Sequence, residues 1–215
     1  MSTLYITGDV QSDKLLNSNG TALLIGMLLD QQVPMEWAFN GPATLKKRLG
    51  HLDPKKISQM DVEEFVSVCA EKPAIHRFPA SMGRRIHELC GIIATQYKNK
   101  GENIWADLTD AKDLTARLRV MPGYGEEKTQ IFIALLAKRM GVKLKNWQTE
   151  AGVFSDANPR TVADITSPET LLLVRSWKKA EKAADLDKRG NPLKKPAKKA
   201  STKKTTAKKT TAKKP

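Results

Sequence analysis

The amino-acid sequence predicts an all-α protein that ends in a disordered basic tail. Three observations carry this reading. Apolar residues recur at helical spacing almost throughout Thr21 to Ala184, the stretch from Lys143 to Thr166 excepted. Pro and Gly fall where helices should start and stop. Charge is segregated: the chain carries a formal +14, yet residues 1–187 hold 25 basic against 23 acidic groups, while Lys188 to Pro215 hold 12 Lys and Arg and no acid.

The elements follow in order. Thr21 to Gln32 is apolar nearly all round, which predicts a buried central helix ended by Pro34. Gly41-Pro42 should open the next helix, with Pro in the first helical position, and Gly50 should close it. Asp53-Pro54 starts a short helix. Asp61-Val62-Glu63-Glu64 reads as a capping box before Phe65, Val66 and Val68. Pro79 to Tyr97 is long and amphipathic, with Ile86, Leu89, Cys90 and Ile93 on one face. Asp110 caps a helix leading to Leu118, and Glu126 to Met140 forms another, with Gly141 at its C-cap. Lys143 to Thr166 lacks periodicity and reads as a long loop. Ser167-Pro168-Glu169 opens a last helix to about Ala184.

These elements predict one helical domain over residues 1–185 and a tail over 186–215. The tail repeats Lys pairs among Ala, Thr, Ser and Pro, with no large apolar residue after Leu193. Such a segment cannot bury enough surface to fold. Its charge suits non-specific binding to a polyanion with steep salt dependence, and it resembles the Lys-Ala-Pro tails of linker histones. Cys69 and Cys90 read as buried free thiols in a reducing compartment, and two cysteines cannot hold an iron–sulfur cluster. His51, His76 and His87 show no metal-ligand spacing, so neither cofactor nor metal is expected. The longest apolar run, Ala22 to Leu29, is too short to span a membrane. The chain is expected to be a cytoplasmic, nucleoid-associated monomer.

One stretch carries most of the functional information: Leu118-Arg119-Val120-Met121-Pro122-Gly123-Tyr124-Gly125. Pro122 and the glycines interrupt the helix, and a new helix begins at about Glu126. A Gly-rich turn feeding a helix N-terminus is an anion site, because bare N–H groups and the helix dipole point the same way. If the anion is a DNA phosphate, the hairpin grips backbone without reading sequence. Met121, Gly123, Gly125, Lys128 and Thr129 are the candidate phosphate contacts.

Three blocks in order extend this: Leu23 to Gln32, an apolar helix ending in glutamines; Phe78 to Tyr97; and Leu118 to Met140. Together they resemble the helix-hairpin-helix (HhH-GPD) base-excision DNA glycosylases, and more narrowly a small bacterial subgroup of them. The resemblance implies a two-lobed all-α fold with the active site in the cleft between the lobes. It also implies a monofunctional enzyme on double-stranded DNA that flips out a damaged or modified base and cuts its N-glycosidic bond. A non-catalytic DNA-binding or nucleoid-associated protein that recognises distorted DNA is the alternative.

The resemblance also fixes what to look for. The lyase members carry a lysine where this chain has Glu127, which speaks against lyase chemistry; Lys128, one residue on, is turned ~100° around the helix. The aspartate position of the family aligns with Lys145. Asp30, Asp156 and Glu127 therefore compete for the catalytic carboxylate. Gln31 and Gln32 are candidates for filling the gap left by a flipped base, and Tyr124 and Trp147, with Trp37 and Phe39, for stacking on it. Arg84, Arg85 and His87 are further candidates for facing phosphates.

Overall fold

The computed structural model describes residues 4–193. Ten α-helices make up this part: α1 (Val10–Ser18), α2 (Gly20–Leu29), α3 (Met35–Leu49), α4 (Pro54–Gln59), α5 (Val62–Ala70), α6 (Pro79–Gln96), α7 (Ala111–Arg119), α8 (Glu126–Arg139), α9 (Trp147–Ala151) and α10 (Pro168–Ala183). Three 3-10 turns join them, at Gly101–Ile104, Gly152–Ser155 and Val162–Asp164. The fold is all-α.

The helices fall into two groups. In the first, α6 lies across α4 and α5, and α2 packs against α1, α3 and α6. In the second, α8 is the axis, with α7, α9 and two 3-10 turns against it. The turn at Gly101–Ile104 touches both α2 and α7 and so bridges the groups. Every residue of α2 is buried, as its unbroken apolar composition demands. In α8, Ile131, Phe132, Ile133, Ala134, Leu135 and Leu136 are buried and join the same core. Among the described residues no helix is long and apolar enough to cross a membrane.

Most helix boundaries follow from capping chemistry. Asp53, Asp61 and Asp110 each accept main-chain N–H bonds at the starts of α4, α5 and α7. Ser167 and Thr170 form a reciprocal capping box at α10. Gly141 takes φ +73° just beyond α8, as a left-handed C-terminal residue should.

Three differences have physical causes. Gly41-Pro42 does not open a helix; Pro42 lies inside α3, which begins at Met35. The Pro removes one main-chain bond, but packing of α3 on α2 holds the helix, and the bare Gly41 lets Leu29 approach. Residues 143–166 contain α9 and two 3-10 turns, elements too short to leave a periodic signature. Helix α1 also lacks such a signature: its anchor is polar, with the buried Asp13 accepting from the Ile6 and Thr7 amides (3.1 and 3.0 Å).

The segment assigned to the tail from residue 186 is partly built into the fold. Leu186 forms an antiparallel bridge with Pro192, and Asp187 accepts from the Arg189 and Asn191 amides (2.8 and 2.9 Å), closing a turn. Short polar turns of this kind are held by Asp side-chain bonds rather than by apolar burial. The disorder expected of residues 194–215 lies outside the described residues.

Candidate functional site

Helix α2 runs through the core and stops at Asp30, whose amide still bonds back to the Gly26 and Met27 carbonyls (3.1 and 3.3 Å). The chain then turns over Gln31 and Gln32, the latter at φ +56°. Opposite this end of α2 stands the hairpin between α7 and α8. Its turn is closed by the Met121 amide on the Leu118 carbonyl (3.0 Å) and the Tyr124 amide on the Met121 carbonyl (3.1 Å). Gly123 takes φ +80°, a conformation that excludes most side chains, while its face rests on Leu28. Gly125 is the N-cap of α8, with no side-chain cap and open space where a Cβ would stand. The first-turn amides of α8 are therefore uncovered, as an anion site requires.

Between the two structures lies a cleft of about 440 Å³. Asp30, Gln31 and Gln32 line one wall; Gly123, Gly125, Glu126, Glu127 and Lys128 line the other, with Lys188 reaching in from the C-terminal turn.

Lys128 ties the walls together. Its ammonium donates to the Met27 and Leu28 carbonyls (2.6 and 2.8 Å), at the negative end of the α2 dipole. Burial lowers its pKa to about 8, against the opposing pull of Asp30. Lys178 of α10 is also lowered by burial, with Asp30 again acting in the opposite direction. Asp30 thus lies within electrostatic reach of two half-buried ammonium groups. Glu127 pairs with Lys188 (3.0 Å) and Glu126 with Arg189 (3.2 Å).

The two glutamines differ. Gln31 is committed inward: its amide donates to the Leu28 carbonyl and the Met82 sulfur (2.8 and 3.2 Å), and its main-chain oxygen meets His76 Nε2 (2.9 Å). Gln32 is exposed at the cleft. Of the α6 cations, Arg85 approaches the site, at 3.4 Å from Gln31 Oε1. Arg84 instead pairs with Glu63, and His87 bonds the Met60 carbonyl.

Other expected site residues stand elsewhere. Asp156 is absent from the cleft lining. Burial works against its charge, but hydrogen bonds from Arg160 and Asn158 outweigh that and lower its pKa. Its main-chain oxygen accepts from Lys138, which is three turns, or ~16 Å, beyond Glu127 along α8. Tyr124 is 3% exposed, with its hydroxyl on the Leu24 carbonyl (2.9 Å) and its ring edge-on to Phe132. It is a core strut rather than a stacking surface. Phe39 is wholly buried, and Trp147 is half-buried against the core at the start of α9, outside the cleft lining. Thr129 is 1% exposed, on the inward face of α8, and the Met121 amide is already taken by Leu118. Neither offers a phosphate donor, and the Lys128 ammonium points at α2. Lys145 pairs its main chain with Thr109 and Ala111 (both 2.9 Å), fixing the start of α7.

Sequence reasoning named Trp37 but missed the group around it beside the cleft. Trp37 and Phe78 are 39% and 44% exposed and flank the buried His76, with Arg77 stacked 4.5 Å over Phe78. The run Ile75-His76-Arg77-Phe78-Pro79 was the available signal: aromatic and basic residues just ahead of a Pro-started helix.

An all-α fold whose Gly-rich hairpin faces a polar cleft across the end of a buried helix defines a helix-hairpin-helix protein. The model of the HhH-GPD superfamily base excision DNA repair protein matches residues 25–194, and the chain belongs to that family. No curated protein and no solved structure matches it. It is a base-excision DNA repair protein of a family typified by DNA glycosylases, and its membership implies DNA binding.

Proposed function

We propose that the chain is a monofunctional DNA glycosylase with Asp30 as its reacting carboxylate. The observation that carries this is the shared cleft: Asp30 and the hairpin glycines line the same cavity, and Asp156 does not. Double-stranded DNA lies with a phosphate on the uncovered amides at the start of α8. A damaged or modified base swings into the cleft. Water adds to the sugar C1′ as the N-glycosidic bond breaks, and the base leaves with the bonding electrons and takes up a proton. Asp30 offsets the positive charge developing on the sugar and accepts the proton of the attacking water. Gln32, exposed beside it, is placed to fill the gap in the stack.

Glu127 and Glu126 are the other carboxylates in the cleft, but Lys188 and Arg189 neutralise them at 3.0 and 3.2 Å. Lyase chemistry needs a free amine as nucleophile. The Lys128 amine is instead engaged by two carbonyls. The basic segment that follows holds the enzyme on nucleoid DNA, as a monomer.

The test is incubation with duplex oligonucleotides carrying single lesions, followed by alkali. Strand breaks that appear only after alkali, with at least one lesion, are expected. Binding without excision of any lesion would move the chain to the non-catalytic alternative.

A further inference from the structure

Glu126 and Glu127 pose a problem for any protein that grips DNA with this hairpin. They stand in the first turn of α8, beside the Gly123 and Gly125 main chain where a phosphate must approach. Acids there suit the helix dipole but repel a phosphate. Counting Asp30 and Lys128, the cleft without the C-terminal turn would carry two excess negative charges.

The turn after α10 supplies the two missing cations. Lys188 and Arg189 are consecutive, and they pair one for one with Glu127 (3.0 Å) and Glu126 (3.2 Å). Their placement is not that of two loose side chains. The Leu186–Pro192 bridge, the Leu193 amide on the Asp185 carbonyl (2.7 Å) and the Asp187 cap on Arg189 and Asn191 fix the turn's shape with bonds that do not involve the pairs. Asp187 is itself held below the usual carboxylate range by those amides. Arg189 keeps one further donor, Nε, buried and without a partner among the described residues. The two residues are also the first cations of the acid-free run that reaches Pro215.

We infer that the turn at residues 186–192 is part of the DNA-binding surface: Lys188 and Arg189 neutralise Glu127 and Glu126 so that a duplex phosphate can seat on the hairpin. This rests on the DNA-facing reading of the hairpin, not on excision. The two residues act through the glutamates and are positioning residues.

The experiment uses the full chain and an undamaged fluorescent duplex at about 150 mM salt, where exposed charges beyond ~8 Å are screened. The readout is Kd by anisotropy for wild type, K188Q/R189Q, E126Q/E127Q and the quadruple variant. K188Q/R189Q is expected to bind about tenfold more weakly, in line with two uncompensated acids at a phosphate site. E126Q/E127Q should bind at least as tightly as wild type, and the quadruple should return to within about twofold of it. Three results overturn the inference: tighter binding by K188Q/R189Q, which would make the turn a latch across the cleft; no change; or a quadruple as weak as K188Q/R189Q, which would make the cations direct phosphate ligands. A wild type that fails to bind duplex at all overturns both this inference and the reading beneath it. A chain that shows the expected pattern yet excises no lesion loses the glycosylase reading and keeps this one.

Discussion

The Lys128 ammonium lies 2.6 Å from the Met27 carbonyl, so the hairpin helix holds the buried helix 101 residues upstream by its C-terminal end. A second bond, to the Leu28 carbonyl at 2.8 Å, completes the grip. Lys128→Met keeps most of the apolar stem but removes the charged donor from two carbonyls, which retain only the Asp30 main-chain amide on Met27 and the Gln31 side-chain amide on Leu28. The expected loss is about 1–3 kcal/mol, against about 0.5 kcal/mol or less for a solvated surface lysine. In a domain of this size that is a fall in Tm of ~2–10 °C by calorimetry. The same grip predicts that borohydride traps no adduct between wild-type protein and DNA bearing an abasic site. The amine, with its pKa lowered to about 8, is still mostly charged at neutral pH and engaged.

Asp30→Asn removes the charge from the α2 end of the cleft and keeps the shape. With a lesion that wild type excises, the single-turnover rate should fall by about 10²–10⁴-fold, while Kd for the duplex stays within about twofold. Asp156→Asn, whose carboxylate faces Arg160 and Asn158, should leave the rate unchanged. A rate loss confined to Asp156→Asn would remove Asp30 from the mechanism.

The fold was readable because its main signals are local. The all-apolar α2, the Pro122-Gly123 interruption and the Asp and Ser caps each act within a few residues. Pairing across the chain was not readable. Nothing around Lys128 announces that its ammonium lands on Met27, or that Tyr124 spends its hydroxyl on Leu24. Both looked like free chemistry beside the hairpin, and both are struts. Gly41-Pro42 misled for the same reason: a local start signal was overruled by packing against Leu29. Asp30, Gln32 and the hairpin glycines share one cleft because each stands at the end of an element, a position that chain direction alone sets.

His76 makes stability depend on mildly acidic pH. Phe78 N–H points at its Nδ1 (3.0 Å), so the ring must be neutral with Nε2–H donating to the Gln31 carbonyl (2.9 Å). Burial lowers its pKa, with Lys128 and Arg77 adding to the effect. The folded pKa is thus below the unfolded value of about 6.5. Its contribution is fully present above that pH and is lost as pH falls through the folded pKa. Thermal melts from pH 7.5 to pH 5 should show falling Tm, and His76→Gln should flatten that slope even if it melts lower throughout. An equally steep slope in the variant would assign the effect to other groups.

Two glycines separate stability from DNA binding. A Cβ at Gly101 would stand 2.5 Å from the Thr21 amide nitrogen and 2.7 Å from the Gly20 carbonyl carbon. These are main-chain atoms at the start of α2, and they cannot swing aside as a side chain would. Gly101→Ala should therefore cost about 1–3 kcal/mol or more, read as a lower Tm, with the hairpin surface untouched. Gly125 is the opposite case. Its φ of −71° suits any residue, and a Cβ there meets nothing within 4 Å. Gly125→Ala should keep or slightly raise Tm, because alanine has fewer unfolded conformations to lose. Yet the added methyl group stands where a phosphate must approach the amides of α8, so Kd for duplex DNA should rise several-fold. A Gly125→Ala variant that binds duplex as tightly as wild type would show that the phosphate does not sit on this turn.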